Sequence, residues 1–331
     1  MAGSHRECTI RRHQDRLLLN RMRDAGLHAE LPDTCEELER DALITIEVSL
    51  ADKPKARQLW QLLVSDAEVS AAWDMADYIA VSKLGHNDHG ETHAKVAAAS
   101  ALSMLTLLIE RGVQPEVIAT GIGDADDAAL IVLAAALLHD IGNQIHRVGH
   151  EEGSVWLAMP MLDRLLPSIY PDAAKRSRIR AFILSAIYTH DGTPVPLTVE
   201  AAIVCIGDAT DMTKGRGRLA FDLGSITIHT VSALSIESVA IARGKEKPIA
   251  IVVQMSNSAG IYQVQEILAP KVQNGPLAGA IDVIATIDPC LGEYERRILY
   301  GIRMQGRTFV PDTTAMEKTE PTADTHIIPS R

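Results

Sequence analysis

Residues Ala128–Leu138 are eleven consecutive apolar positions, and the run ends in the dipeptide His139-Asp140. A stretch of this length is too short to cross a bilayer, which needs about 20 residues, so it predicts a helix buried inside the protein. Burying two titratable groups at the end of such a helix is costly unless each is paired or bound to a cation. Asp208 repeats the theme, because it closes the apolar stretch Ala201–Gly207. Any fold open to this chain must satisfy these polar groups in its interior.

The histidines sharpen that constraint. The chain of 331 residues has 12, and seven of them (His86, His89, His93, His139, His146, His150 and His190) fall between residues 86 and 190. A lone histidine on a helix is more often a surface or satisfied core residue than a ligand. Several at the ends of helices, in company with carboxylates, are another matter. His89 and His93 are four apart and share a helix face. His89 reads as an exposed or supporting residue, and nothing in the spacing fixes His86 or His146 as ligands.

Composition removes several function classes. Lys and Arg number 32 against 43 Asp and Glu, a formal charge of -11, which makes general nucleic-acid or anionic-membrane binding unfavourable. Aromatic residues are 4%, too few for base-stacking platforms. Cys8, Cys35, Cys205 and Cys290 form no CxxC pair and fit reduced thiols of a cytoplasmic protein. The start, MAGSHRECTIRRHQDR, carries charges where an export signal needs an apolar core. A cytoplasmic protein is therefore expected, with a small-molecule substrate and neither nucleic acid nor membrane as partner.

The order of elements predicts a mostly α-helical bundle followed by a small α/β (α+β) domain. Residues 1–84 read as an N-terminal helical segment packing on the next domain, with helices through Pro54–Leu63 and Ala67–Val81. Residues 85–218 hold five helices, Glu91–Arg111, Ala125–His139, Glu151–Leu166, Ala173–Tyr188 and Thr198–Lys214. Asp88 and Glu91 have capping-box spacing for the first of them. Beyond the glycine-bearing stretch Lys214–Gly224, residues 224–310 predict strands at Ser225–Val231, Pro248–Met255 and Gly279–Ile287. Helices are expected between them at Ser232–Arg243 and Ile261–Val272. Residues 311–331, polar and proline-bearing, are expected to be disordered. Alternation in the C-terminal strands points to a homodimer through that domain.

In ligand-capable residues the chain thus reads His93, His139-Asp140, His150, His190, Asp208. Imidazoles with a carboxylate able to bridge suit a two-metal hydrolytic centre, in which two cations about 3.5–4 Å apart activate a water. This ordered pattern resembles the HD-domain superfamily of metal-dependent phosphohydrolases. The likeness rests on GETHAKVA with His93, ALLHDIGN with His139 and Asp140, HEEGSVWL with His150, IYTHDGTP with His190 and VCIGDATD with Asp208. It spans residues 85–215. The extra histidines, His150 and His190, resemble the binuclear branch of that superfamily. The GYP motif of its cyclic-dinucleotide phosphodiesterases is absent, so that substrate is not carried over. NSAGIYQVQEIL also resembles a C-terminal domain attached to some prokaryotic members.

The resemblance implies that His93, His139, Asp140 and Asp208 hold one divalent metal, while Asp140 bridges to a second held by His150 and His190. An imidazole-rich set favours iron or manganese, with nickel or zinc also accommodated and magnesium less suited. The implied activity is hydrolysis of a phosphoester of a small molecule or nucleotide by a metal-bridged hydroxide. Asp140 then acts in catalysis, with Arg147 and Lys214 as candidate cations for the substrate phosphate, each weighed against a plain surface cation. Asp191 is a candidate to orient His190 or another of the ligands. Ser256–Gly260 offers either an anion-binding helix N-terminus or a plain N-cap, and the plain cap is the favoured reading. Two other functions fit the same residues: an HD-type di-iron oxygenase, and a regulatory ligand-binding protein whose metal centre is structural.

Overall fold

The computed structural model describes residues 35–214, 216, 227–287, 301–306, 308–311 and 326–329. Its first helices are α1 (Cys35–Ser49), α2 (Pro54–Ser65) and α3 (Ala67–Asp77). Asp66 starts α3 by accepting from the backbone N–H groups of Glu68 and Val69, an N-cap by side chain. A wider π-type stretch, Tyr78–Lys83, follows and leads to the loop of His86 and His89.

Next come α4 (Glu91–Glu110), the short α5 (Glu116–Ala119), α6 (Ala125–Leu138), α7 (His150–Leu165), α8 (Ala173–Tyr188) and α9 (Val199–Thr210). The five helices read from the sequence are all present. Helix α6 is the apolar run, and every residue from Ala128 to Leu138 is buried. Asp124 and Asp127 cap its start reciprocally. Helix α4 is long and apolar enough to cross a membrane, yet 89% of its apolar window is buried inside the protein. It is a core helix, packed by α1, α6 and α9.

The start of α4 differs from the expected capping box. Gly90 is the N-cap, and Asp88 accepts from the Gly90 N–H at 2.7 Å. A Cβ at Gly90 would lie 2.9 Å from that of Asp77, so the loop closes against α3 only with glycine there. Glu91 instead pairs with Lys95 one turn on.

The C-terminal region is built on a six-stranded mixed sheet in the order β5-β4-β3-β2-β1-β6. Its strands are β1 (Ile236–Arg243), β2 (Ile249–Met255), β3 (Ile281–Ile287), β4 (Gly301–Gln305), β5 (Thr308–Pro311) and β6 (His326–Pro329). Strands β2 and β3 are parallel, and the other neighbours are antiparallel. The crossover between the parallel pair holds a π-type stretch, Gln263–Leu268, and α11 (Ala269–Gln273).

Three expectations change here. Ser225–Val231 was read as a strand, but Thr227 and Thr230 cap each other and open a helix, α10 (Ile228–Ala233). Ser232–Arg243 was read as a helix, but from Ile236 onward it is β1, because Ile236, Val239 and Ile241 all bury into the sheet's packed face. Both segments are short and apolar, so pairing with β2 decides what periodicity leaves ambiguous. The tail expected to be disordered contributes β6, with Val239 opposite Ile328. Cys205 is buried and free; Cys8 and Cys290 lie outside the described residues.

The helical and sheet units share one continuous hydrophobic core. Arg111 donates to the carbonyl of Gly244 at 2.7 Å across their junction, and α11 packs on α9. This last contact places part of the C-terminal unit beside the polar ends of the core helices.

Candidate metal centre

Six residues converge at one end of the bundle. His93 comes from the first turn of α4, and His139 and Asp140 come from the turn that ends α6. His150 opens α7, His190 follows α8, and Asp208 lies in the last turn of α9. All six are buried, and they fall into three overlapping groups able to hold a metal ion: His93 with His139 and Asp140; His139 with His190 and Asp208; and Asp140 with His150 and His190.

The histidines form two pairs. The Nε2 atoms of His93 and His139 are 3.1 Å apart, and those of His150 and His190 are also 3.1 Å apart. Asp140 stands between the pairs. Its Oδ2 lies 3.3 Å from the Nε2 atoms of both His93 and His139. Its Oδ1 lies 3.3 Å from His150 Nε2 and 3.5 Å from His190 Nε2. Asn143 fixes this orientation by donating from Nδ2 to Asp140 Oδ1 at 2.9 Å. Asp208 Oδ1 joins the first pair, 3.1 Å from His93 Nε2 and 3.6 Å from His139 Nε2.

The outer ring nitrogens settle which inner atoms carry lone pairs. His139 Nδ1 donates to the Ala136 carbonyl at 2.8 Å, and His190 Nδ1 to the Ile187 carbonyl at 2.7 Å. His150 Nδ1 donates to the Arg147 carbonyl at 3.0 Å, and His93 Nδ1 faces Asp211 Oδ2 at 2.7 Å. A carbonyl or carboxylate can only accept, so the proton of each neutral ring sits on Nδ1 and leaves Nε2 bare. Paired bare nitrogens at 3.1 Å repel unless a proton or a cation lies between or beside them. Outer hydrogen bonds of this kind are also what orient metal-ligating histidines. The donor set fits a metal ion, with imidazoles and carboxylates converging on it.

Protons take up part of this role in the metal-free chain. Burial opposes charge on His139, but Asp140 outweighs it and pulls the imidazole up to about 9. Burial likewise opposes charge on Asp140 and Asp208. His139 holds Asp140 well below the usual carboxylate range, and Lys271 does the same for Asp208. Burial, reinforced by the charge on His139, pushes His190 down.

Local sequence explains how these residues meet. Gly142 lets the turn after Asp140 touch the start of α7, since a Cβ there would lie 2.0 Å from the His150 carbonyl oxygen. Ser154 Oγ accepts from the Gly142 N–H at 2.8 Å, which locks the two segments. His150 is thereby held against Asp140.

A cavity of about 480 Å³ opens onto Asp140, His190 and Asp208. Arg147 lines it, with Nη1 3.0 Å from His150 Nε2 and 3.8 Å from Asp140 Oδ1. Lys214 does not. It pairs with Glu237 at 2.6 Å, and its place in the wall is taken by Arg216. Arg216 sets Nη2 3.3 Å from His93 Nε2 and donates from Nε to the Asp88 carbonyl. Each histidine pair therefore has one guanidinium N–H on one of its inner nitrogens. His86 and His89 also line the cavity, whereas His146 is exposed and accepts from the Val148 N–H.

Asp191 does not touch the His190 ring; its carboxylate lies 3.4 Å from Lys271 Nζ. Asn257 accepts from the Ala259 N–H at 3.0 Å and from Ser235 Oγ, so the Ser256–Gly260 loop is a plain cap. Sequence reading passed over Asp211, Asn143, Arg216 and Lys271. Asn143 and Asp211 each follow a ligand-type carboxylate by three residues, one helical turn, and that spacing was a usable signal. Arg216 and Lys271 had none.

The chain is 39% identical over 240 residues to the uncharacterized protein MJ1020 of Methanocaldococcus jannaschii, a match covering 72% of this chain and 92% of the archaeal protein. The chain belongs to that protein's family. No family model matches it, and no solved structure does. What the family shares with this chain therefore spans most of both proteins, and the chemistry must be argued from the buried His/Asp cluster.

Proposed function

We propose that this protein is a metal-dependent phosphohydrolase of the HD-domain type, acting on a phosphoester of a small molecule or nucleotide. The observation that supports this reading best is the division of Asp140: one carboxylate oxygen faces each histidine pair. His93, His139, Asp140 and Asp208 would hold one divalent ion, and Asp140, His150 and His190 a second. When bound, the ions would supply Lewis-acid activation of a water for attack on phosphorus.

The chain's own residues account for the rest of the site. Arg147 and Arg216 enter the cavity from opposite pairs. With the inner nitrogens committed to cations, the guanidinium N–H groups are released to phosphoryl oxygens, whose charge they offset. His89 donates from Nδ1 to the Asn87 carbonyl, which leaves Nε2 as its remaining hydrogen-bonding atom at the cavity wall. Burial of the cluster excludes water from all sides except the cavity and strengthens each of these interactions.

The test is elemental analysis of the purified protein together with a screen of phosphoesters in air and under anaerobic conditions. Two metal ions per chain with phosphate release independent of oxygen is the expected outcome. Oxygen consumption coupled to substrate loss would replace hydrolysis by an oxygenase. Tight ligand binding that survives metal removal, with no turnover, would favour a regulatory protein.

A further inference from the structure

Lys271 reaches the cluster from the C-terminal unit. It lies in α11, inside the β2–β3 crossover, and is only 8% exposed. Its Nζ donates to Asp208 Oδ2 at 2.6 Å and to the His190 carbonyl at 3.0 Å, with Asp191 Oδ1 at 3.4 Å. An ammonium has three N–H groups, and three acceptors surround this one. Lys271 is thus saturated by the protein, whereas each arginine of the cavity wall keeps one guanidinium N–H on a ring nitrogen that a cation would claim.

The consequence falls on Asp208. Its two oxygens are divided, Oδ1 toward His93 and His139 and Oδ2 toward Lys271. Asp140 differs, since both its oxygens face histidines. A carboxylate with both oxygens free can grip one cation with the two together, and it then occupies a position that a water or a phosphate oxygen needs.

We propose that Lys271 is a positioning residue that keeps Asp208 a one-oxygen donor, so that the C-terminal unit completes the centre built by the helices. This inference rests on the metal reading of the cluster. It gives the sheet unit a role in the chemistry without placing any of its strands at the site.

The test uses the full-length chain, stripped of metal and reloaded with cobalt(II), as wild type, Lys271→Met and Lys271→Arg. Stoichiometry comes from elemental analysis and coordination from the visible absorption of cobalt. Lys271→Met should retain cobalt, while its absorption weakens at least about twofold as the second oxygen of Asp208 raises the coordination number. Lys271→Arg, still donating to Oδ2, should resemble wild type. Inorganic phosphate should perturb the cobalt spectrum of wild type and of Lys271→Arg, and perturb that of Lys271→Met far less. Lys271→Gln repeats the comparison with a polar chain if methionine disturbs packing against α9. A wild-type spectrum in both neutral variants, or loss of cobalt from both, overturns the role of Lys271 alone. A wild type that binds no cobalt removes the metal reading and this inference with it.

Discussion

His93 and His139 bring their Nε2 atoms to within 3.1 Å of each other while each commits its Nδ1 elsewhere, to Asp211 and to the Ala136 carbonyl. Two lone pairs so placed need a cation, and Asp140 supplies the negative charge beside them. Asp140→Ala should therefore abolish metal binding and turnover. The helices should stay largely formed, because their cores do not depend on this carboxylate. Elemental analysis and far-ultraviolet circular dichroism read the two effects separately; full activity in the variant would sink the assignment.

Metal affinity should climb with pH. In the folded, metal-free chain the His139 imidazole is pulled up to about 9, against 6.5 for an ordinary histidine, so it carries a proton at neutral pH. A cation must displace that proton and the one that Asp140, Asp208 and Asp211 hold on His93, so apparent affinity should rise by about tenfold or more per pH unit below pH 9. The same shift means that protonated His139 stabilises the metal-free fold fully below about pH 6.5, an effect lost as pH rises through 9. Calorimetric titrations with manganese in buffers of different ionisation heat would count the protons released.

Arg216 and Lys214 are two residues apart in sequence but differ in surroundings. Arg216→Ala should raise KM for a phosphoester about tenfold or more, from loss of a charged hydrogen bond worth roughly 1.5–3 kcal/mol. Lys214→Ala removes only the pair with Glu237, outside the cavity, and should leave KM within about twofold. Steady-state kinetics on both variants decide between them. Equal effects would contradict the cavity wall described above.

At the other end of α9, Glu200 is fully buried and accepts from the Val117 N–H at 2.8 Å, while Glu116 accepts from the Val199 N–H. Burial, reinforced by Glu116, pushes the Glu200 carboxyl up to about 7 from 4.5. The folded chain thus binds this proton more tightly than the unfolded chain. The stability it contributes is full below about pH 4.5 and is lost as pH rises through 7. Glu200→Gln should match wild type near pH 4 and exceed it by about 3 kcal/mol at pH 8. Urea unfolding at the two pH values is the measurement.

Much of this was legible in the residues. The run Ala128–Leu138 could only be a buried helix, because a polar face is missing from it. The cost of burying His139-Asp140 then marked the place where a cation or a pairing partner had to be. The other ligand-type residues announced themselves at helix ends in the same way. The assignment of Ser225–Arg243 failed, because short apolar segments carry no decisive period until a partner strand is present.

Tertiary structure alone decided the rest. Which histidines pair, and which oxygen of Asp140 faces each pair, depends on how α4, α6, α7 and α8 end against one another. Arg216 displaced Lys214, although both stand in the same glycine-bearing stretch, because the chain there turns one cation toward Glu237 and the other toward His93. Lys271, 63 residues from Asp208, had no sequence signal at all. A local pattern records the period and ending of a helix, whereas a contact between distant segments exists only once their packing has brought them together.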